Sequence, residues 1–522
     1  MMIEEGQQAE EQSHLIPRHH GNDNQYAVTY EEAISKTGYG KFHYLVLALC
    51  GWAVSSDAIE VLSISFVLPA AQCDLHLTSN DKGWLNSIMF VGMMLGGYGW
   101  GSLADHFGRR QVLLGSLTVN GLGALSSSFC QSFWIFLLMR LVSGIGVGGS
   151  IPVIFSYFTE FQPKEKRGTM ISVLATFWMF GNIIAAGLAW IIVPLDIGYS
   201  SPNFTYNSWR IFIAICTFPS LSSAALFFLM PESPKFLLSV GKEEQAAAVL
   251  KKIYDINNPN ALMPYDVESI VLSSDSKTDS HYRSNATKNI KGTCGSKSVT
   301  KLLDSTIELF RAPLRRSTII LLIVTFTISF GYYGLWMWFP ELFSRVEKYG
   351  GSPCDSVKGS NVTESGDQNC TIPDTWTYQS GFLTALSNLP GNLFTIFLMD
   401  KIGRKGILVI GMLGSGVTVF FIPLIHNKVQ NLLLSCTFGL ISTLAWNALD
   451  VLQAELFPTG VRSTAMGVSS AANRIGAILG NLAFGELVDI HCSVPMIMVA
   501  VLLVLGGLTS LKLPNTTKTD IH

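Results

Sequence analysis

Twelve apolar runs of about twenty residues recur along this chain, each closed off by Gly, Pro, Asp or a cluster of charges. Roughly 20 mostly apolar residues make a helix long enough to cross about 30 Å of hydrocarbon, so each run predicts one membrane span. The runs begin near residues 43, 82, 110, 133, 169, 209, 317, 376, 405, 430, 463 and 493. A long polar interruption from about 231 to 315 divides them six and six. Within it, the stretches after Gly241 and around Thr300 to Phe310 predict short amphipathic helices beside the membrane.

The pattern predicts an all-α membrane protein of twelve transmembrane helices in two six-helix bundles. Residues 1–41 read as a cytoplasmic tail with no signal peptide, open to cytoplasmic partners, and 42–230 as the first bundle. Residues 231–316 read as a central cytoplasmic loop, 317–511 as the second bundle and 512–522 as a second tail. Orientation follows from the basic residues, which concentrate on the cytoplasmic side of membrane proteins. Arg109-Arg110, Lys164/Lys166/Arg167, Arg311/Arg315/Arg316 and Lys401/Arg404/Lys405 all fall on the side of both termini. The glycosylation acceptors Asn203, Asn361 and Asn369 fall on the other side. Two of them sit in a luminal loop over 343–375 that also holds Cys354 and Cys370, which in an oxidising compartment form a disulfide or remain two free thiols.

Composition narrows the class further. Of 522 residues, 48% are hydrophobic and 14% charged, against about 25% charged in a soluble domain; mean hydropathy is +0.36. A net charge of -2 gives no reason to expect a nucleic-acid partner. Nine cysteines show no metal-binding spacing, so no metal or cofactor is expected.

The chain also repeats itself. Gly101-Ser-Leu-Ala-Asp105-His-Phe-Gly108-Arg109-Arg110 follows the second run, and Asp400-Lys-Ile-Gly403-Arg404-Lys405 follows the eighth. Glu160 with Arg167 follows the fourth run, and Glu455 with Arg462 the tenth. Both pairs of motifs share one displacement along the chain, the mark of a duplicated six-helix unit. Small residues such as Gly97, Gly99 and Gly101 let helices approach closely, and Gly108 permits a tight turn. Asp105 can pair across the cytoplasmic mouth in one state and release in the other, so these motifs read as gates and not as ligands.

The motif from Gly101 to Arg110 resembles the signature of the major facilitator superfamily. Pro231-Glu-Ser-Pro-Lys235 and Glu455-Leu-Phe-Pro-Thr-Gly-Val-Arg462 resemble its sugar-porter and organic-ion branches. Val91-Gly-Met-Met, Gly148-Gly-Ser-Ile-Pro152, Phe155-Ser-Tyr-Phe158, Ser329-Phe-Gly-Tyr-Tyr-Gly334 and Trp446-Asn-Ala-Leu-Asp-Val-Leu452 look like the synaptic vesicle glycoprotein 2 family, with the synaptic vesicle two-related proteins next. That family carries a large luminal domain between helices seven and eight. The corresponding loop here is only about 35 residues, so functions attached to that domain are not carried over. The resemblance implies a secretory or synaptic vesicle membrane, and a central cavity lined by Ile151, Phe155, Trp178, Trp446 and Asp450.

Charges inside the spans carry the candidate chemistry. Asp57 and Glu60 share one face of the first run, where ionised acids are costly and normally face a cavity or a partner. They read as a proton or substrate coupling pair, or as a structural pair satisfied by neighbouring helices. Arg140, in the fourth run, is their candidate counter-charge. Asp450 in the tenth run is a third acid, with Trp446 as an apolar platform and Asn447 as a hydrogen-bonding arm. Tyr332 and Tyr333 complete the aromatic set.

Three functions compete. A secondary active or facilitative transporter of a small polar solute (sugar, organic cation or amine), proton-coupled by alternating access, fits the buried charges, and no Walker loop points to ATP. A non-transporting scaffold or regulator of secretion fits the resemblance. A membrane enzyme fits nothing, since no nucleophile–base pair or cofactor motif appears.

Overall fold

The computed structural model describes residues 16–17, 26–202, 204–260, 265, 267, 270–271, 306–349, 354, 374–425 and 427–514. The first half contains α1 (Tyr30–Lys36), α2 (Lys41–Leu75), α3 (Ser79–Phe107), α4 (Arg109–Ser128), α5 (Phe133–Glu160), α6 (Lys164–Ile192), α7 (Ser208–Cys216) and α8 (Phe218–Phe227). Two short helices follow, α9 (Pro234–Ser239) and α10 (Glu243–Asn257). The second half contains α11 (Arg315–Trp336), α12 (Phe339–Tyr349), α13 (Thr375–Leu386), α14 (Asn388–Ile402), α15 (Arg404–Phe421), α16 (Lys428–Leu456), α17 (Thr459–Leu487) and α18 (Ser493–Ser510).

These elements supply twelve spans within a few residues of the predicted runs. Spans 1 to 5 are α2 to α6, and span 6 is α7 with α8, broken beside Pro219. Span 7 is α11, span 8 is α13 with α14, and spans 9 to 12 are α15 to α18. Among the described residues, nine spans are long and apolar enough to cross a membrane by composition. The other three, α3, α4 and α17, are diluted by Gly, Ser and Asn for a packing reason. Gly92-x-x-x-Gly96 of α3 lies on Gly144-x-x-x-Gly148 of α5, where a Cβ on Gly92 would meet the Leu141 carbonyl oxygen at 2.5 Å. Such small-residue seams replace the missing hydrophobic drive between helices in lipid.

Packing repeats between the halves. Span 1 packs on 5, 2 on 4, 3 on 4 and 3 on 6; span 7 packs on 11, 8 on 10, 9 on 10 and 9 on 12. The halves meet through spans 2 and 11 and through spans 5 and 8, which exchange under the same correspondence. Gly108 (φ 101°) and Gly403 (φ 86°) make equivalent turns with positive φ, open to glycine at little cost.

The two ends of the molecule differ. The motif end, bearing Gly101–Arg110, also carries strand β1 (Tyr26–Thr29), α1, α9 and α10. Part of the segment read as a tail is therefore folded: Thr29 and Glu32 form a capping box on α1, the Tyr30 hydroxyl donates to the Glu160 carbonyl, and Glu31 pairs with Arg167 at 3.0 Å. The opposite, hairpin end carries the two-stranded hairpin β2 (Gly198–Ser201) and β3 (Phe204–Asn207).

Candidate functional site

The acids of span 1 are sealed inside the first half. Asp57 and Glu60 are 0% and 2% exposed, and Arg140 0%. Arg140 Nη1 donates to Glu60 Oε1 at 2.5 Å and Nη2 to Ser127 Oγ at 2.7 Å. Of the two acids open to it, Arg140 chooses Glu60. Asp57 is held by hydroxyl and amide donors instead, Ser150 Oγ at 2.6 Å and Asn120 Nδ2 at 3.3 Å. Ser143 Oγ lies 2.9 Å from both Glu60 Oε1 and Asn120 Oδ1, linking the two carboxyls through one network across spans 1, 3 and 4. Gly146, one of the glycines beyond Arg140, lets span 4 approach span 3: a Cβ there would meet the Ser116 carbonyl oxygen at 2.6 Å.

The central aromatic set spans both halves. Ile151 and Trp178 of the first half and Tyr333 of the second pack on one cluster with Phe90, Met93 and Ala477. Tyr333 lies 4.9 Å from the Phe90 ring and 5.9 Å from Trp446, which in turn is 5.9 Å from Tyr332. Phe155 is half-buried against the motif-end core beside Trp178. Asp450 is exposed although it lies far along span 10. It is within electrostatic reach of Tyr333. Asn447 departs from the expected arm: its Nδ2 donates to Asn392 Oδ1 at 2.7 Å and lies 3.2 Å from Thr395 Oγ1. Its amide hydrogens join spans 8 and 10, since a polar group among helices takes a neighbouring partner first. A further residue, Arg474 on span 11, also acts on Tyr333. Sequence reading missed it, though an arginine well inside an apolar run is the same signal that singled out Arg140.

At the motif end, Arg109 Nε is 3.2 Å from Glu160 Oε1, and Arg404 Nε is 3.2 Å from Glu455 Oε1. The repeat therefore reproduces its ion pair. Glu232 Oε1 accepts the backbone N–H groups of Arg109, Arg110 and Ser233 at 3.0, 3.0 and 2.9 Å, a carboxylate on a helix N-terminus. Arg167 pairs with Glu31, not with Glu160, and Arg462 Nε donates to the Phe457 carbonyl at 3.2 Å.

Two sets of gate residues stand apart from their expected partners in this structure. Asp105 is exposed and pairs with Arg109, four residues on, at 3.4 Å, not across the mouth. A Cβ on Gly99 or Gly101 would meet nothing within 4 Å, so these glycines bring no helix close. The reason is a splay between spans 2 and 11, which touch at the hairpin end and diverge toward the motif end. Gly83 and Gly485 touch there, with a Cβ on Gly83 only 3.0 Å from Gly485 Cα. Gly101 and Gly467 lie five helical turns from them on the same faces, and neither has a neighbour within 4 Å of its Cβ position.

Charges absent from the sequence reading join the two halves at the hairpin end. Lys82 Nζ of span 2 is 2.6 Å from Glu341 Oε2 of α12, with side chains 1% and 6% exposed. Arg345 bridges Glu341 at 3.1 Å, Asp489 at 2.8 Å and Ser79 Oγ at 2.9 Å. Burial raises the Glu341 carboxyl, but Lys82 and Arg345 outweigh it and hold it down at about 2. These residues open a span or follow one, where charge reads as a boundary.

The disulfide expectation is also corrected. Cys354 is bonded to Cys492, with Cα atoms 5.2 Å apart, because the fold brings the loop after α12 to the turn between spans 11 and 12. Cys73 is disulfide-bonded as well. Cys370, Asn203, Asn361 and Asn369 lie outside the described residues, and the side chain of Asp400 is not described.

Residues 25–346 match the sugar (and other) transporter family, and residues 378–521 the major facilitator superfamily. Rat synaptic vesicle glycoprotein 2C is 33% identical across 98% of this chain and 84% of its own length. Human synaptic vesicle glycoprotein 2B is 33% identical across 97% and 88%, and human 2A 32% across 94% and 79%. Aligned positions with 2C outnumber the residues of this chain, so the relative carries sequence that this chain lacks. Among solved structures, the xylose transporter XylE from E. coli in a partially occluded inward open conformation overlays with a TM-score of 0.66. It covers 92% of this chain and 99% of its own at 17% identity, a likeness of fold. Duplicated bundles, paired motif arginines and near full-length similarity converge: this chain is a multi-pass membrane protein of the major facilitator superfamily, and it belongs to the synaptic vesicle glycoprotein 2 family.

Proposed function

We propose that this protein is a proton-coupled secondary transporter of a small polar solute, a sugar, organic cation or amine, working by alternating access in a secretory vesicle membrane. The observation that carries the reading is the Asp57–Asn120–Ser143–Glu60–Arg140 network, four of whose polar side chains are fully buried and the fifth nearly so. Sequestered charge of this kind is expensive in a membrane and marks a functional path. Arg140 neutralises Glu60, while among the described residues Asp57 has no cation in ion-pair range, which leaves Asp57 the acid free to exchange a proton. Asp450, Trp446, Tyr333 and Arg474 supply both charge signs and aromatic faces on the second half, a lining suited to a polar ring or a small amine. The positive-inside rule assigns the motif end to the cytoplasm and the hairpin end to the lumen. The vesicle location rests on the synaptic vesicle relatives.

The test is charge movement in proteoliposomes under a pH gradient with a panel of sugars, organic cations and amines. Native protein is compared with Asp57→Asn, Glu60→Gln and Arg140→Ala, each checked for folding. A substrate-dependent current lost in Asp57→Asn supports the reading. No response to any compound, beside a working control transporter, replaces it with the scaffold reading.

A further inference from the structure

The described arginines of the motif end fall into two groups. Five have acceptors inside the protein: Arg109 on Glu160, Arg110 on the Phe227 and Phe228 carbonyls, Arg167 on Glu31, Arg404 on Glu455 and Arg462 on the Phe457 carbonyl. The other three, Arg311, Arg315 and Arg316, are exposed where span 7 begins, and among the described residues no acceptor meets their guanidinium groups. Glu308, the carboxylate nearest along the chain, makes no ion pair with any of them.

The repeat shows that the fold does not need cations at this place. Gly181 of span 5 touches Ser55 and Ala58 of span 1, and Gly476 of span 11 touches Phe326 and Ser329 of span 7. The two glycines are 295 positions apart, the displacement that the motifs share, and the residues they touch are 271 apart. Arg315 and Arg316 therefore stand where span 1 has Tyr44 and Leu45, both also exposed. The first half builds the same span start without charge.

What surrounds the arginines is ordered like a phospholipid. Arg315 and Arg316 line a cavity of about 450 Å³ together with Ala312, Pro313, Ile319 and Ile320. Arg315, Ile319 and Ile323 follow at intervals of four and so form one row along the helix. Ile319 and Ile323 are exposed, as are Ile307 and Phe310 just before the span. The row is cationic where it meets the cytoplasm and apolar where it enters the hydrocarbon. Adjacent guanidinium groups suit a phosphate, which takes their paired N–H donors. An arginine that only sets topology needs to stand on the cytoplasmic side; it needs neither a cavity nor an apolar row beneath it.

We propose that Arg315 and Arg316 hold the headgroup phosphate of an anionic phospholipid from the cytoplasmic leaflet, with its acyl chain along Ile319 and Ile323. Lipid binding of this kind involves no transport step, so it stands or fails apart from the proposed activity. The test is native mass spectrometry of the full chain in detergent, titrated with phosphatidylserine or phosphatidylcholine. The parent is compared with the double variant Arg315→Gln/Arg316→Gln and with Lys251→Gln/Lys252→Gln, which removes the same charge from exposed positions of α10; melting temperature checks each fold. The parent is expected to bind phosphatidylserine at least about tenfold more tightly than phosphatidylcholine. The arginine variant is expected to lose about thirtyfold in affinity for phosphatidylserine, and the lysine variant less than about twofold. Glycerophosphoserine, the headgroup without chains, is expected to leave the bound lipid in place at about a hundredfold excess, because it lacks the chains that the apolar row contacts. Equal affinity of the parent for the two lipids overturns the proposal without any variant. A loss in the lysine variant as large as in the arginine variant overturns it too, and displacement by glycerophosphoserine assigns the cavity to a soluble anion instead.

Discussion

Gly83 on span 2 and Gly485 on span 11 meet backbone to backbone. A Cβ on the first would stand 3.0 Å from Gly485 Cα, and one on the second 2.9 Å from the Ser79 carbonyl oxygen. Neither neighbour is a flexible side chain that could turn aside. Gly83→Val therefore acts as a wedge between the halves at the hairpin end and leaves each half's interior untouched. The expected outcome is a several-fold rise in the labelling of a Ser87→Cys reporter by a membrane-impermeant maleimide added from the hairpin-end side, with a melting temperature close to that of the parent. A fold that collapses on this substitution would mean that the seam holds the halves together and does not gate them.

The Glu341 carboxyl gives a pH signature. Its ordinary value is 4.5, and Lys82 and Arg345 hold it at about 2. A depressed carboxyl contributes stability that is complete above its unfolded value and is lost as pH falls through the folded one. The stability gap between parent and Glu341→Gln is therefore expected to be flat from pH 8 to pH 5 and to shrink only below about 4.5. Removing one partner of a buried pair costs about 3–5 kcal/mol, readable as a large fall in melting temperature by scanning fluorimetry in detergent.

The two acids of span 1 are expected to separate stability from coupling. Glu60→Gln strands Arg140, whose guanidinium is fully buried, and is expected to lower stability by about 3–5 kcal/mol. Asp57→Asn keeps neighbours that hydrogen-bond, Ser150 and Asn120, so its loss is expected near 1 kcal/mol. Denaturant titration of the purified protein ranks them. Equal losses would show that Asp57 is as deeply committed to structure as Glu60.

Peptide mapping without reduction is expected to recover a Cys354–Cys492 link. Cys354→Ser and Cys492→Ser should each lose about 2–5 kcal/mol, and the double variant no more than either alone. Additive losses would mean that the two cysteines act independently.

Much of this was legible before any coordinates. Apolar run length decides span number because lipid supplies no hydrogen bonds to an exposed backbone, and the shared offset of two motifs decides duplication. The Arg109–Glu160 and Arg404–Glu455 pairs occupy positions that the offset matches. Arg140 was found by the cost of burying charge, and the same rule would have found Arg474.

What the tertiary structure alone decided are the choices among distant partners. The chain names Asp57, Glu60 and Arg140 but not which acid takes the arginine, because both lie on one helix face. It marks Cys354 as a luminal cysteine but not its partner, because compartment chemistry carries no distance. It places Lys82, Glu341, Arg345 and Asp489 at the edges of apolar runs, where each looks like a solvated boundary. Folding buries Lys82 and Glu341 between the halves, half-buries Arg345 beside them and leaves Asp489 more than half exposed. Run length and repetition act locally along the chain, so sequence determines them. Ion pairing, disulfide partnering and the splay of spans 2 and 11 depend on which residues tens to hundreds of positions apart come within a few ångströms, and only packing sets that.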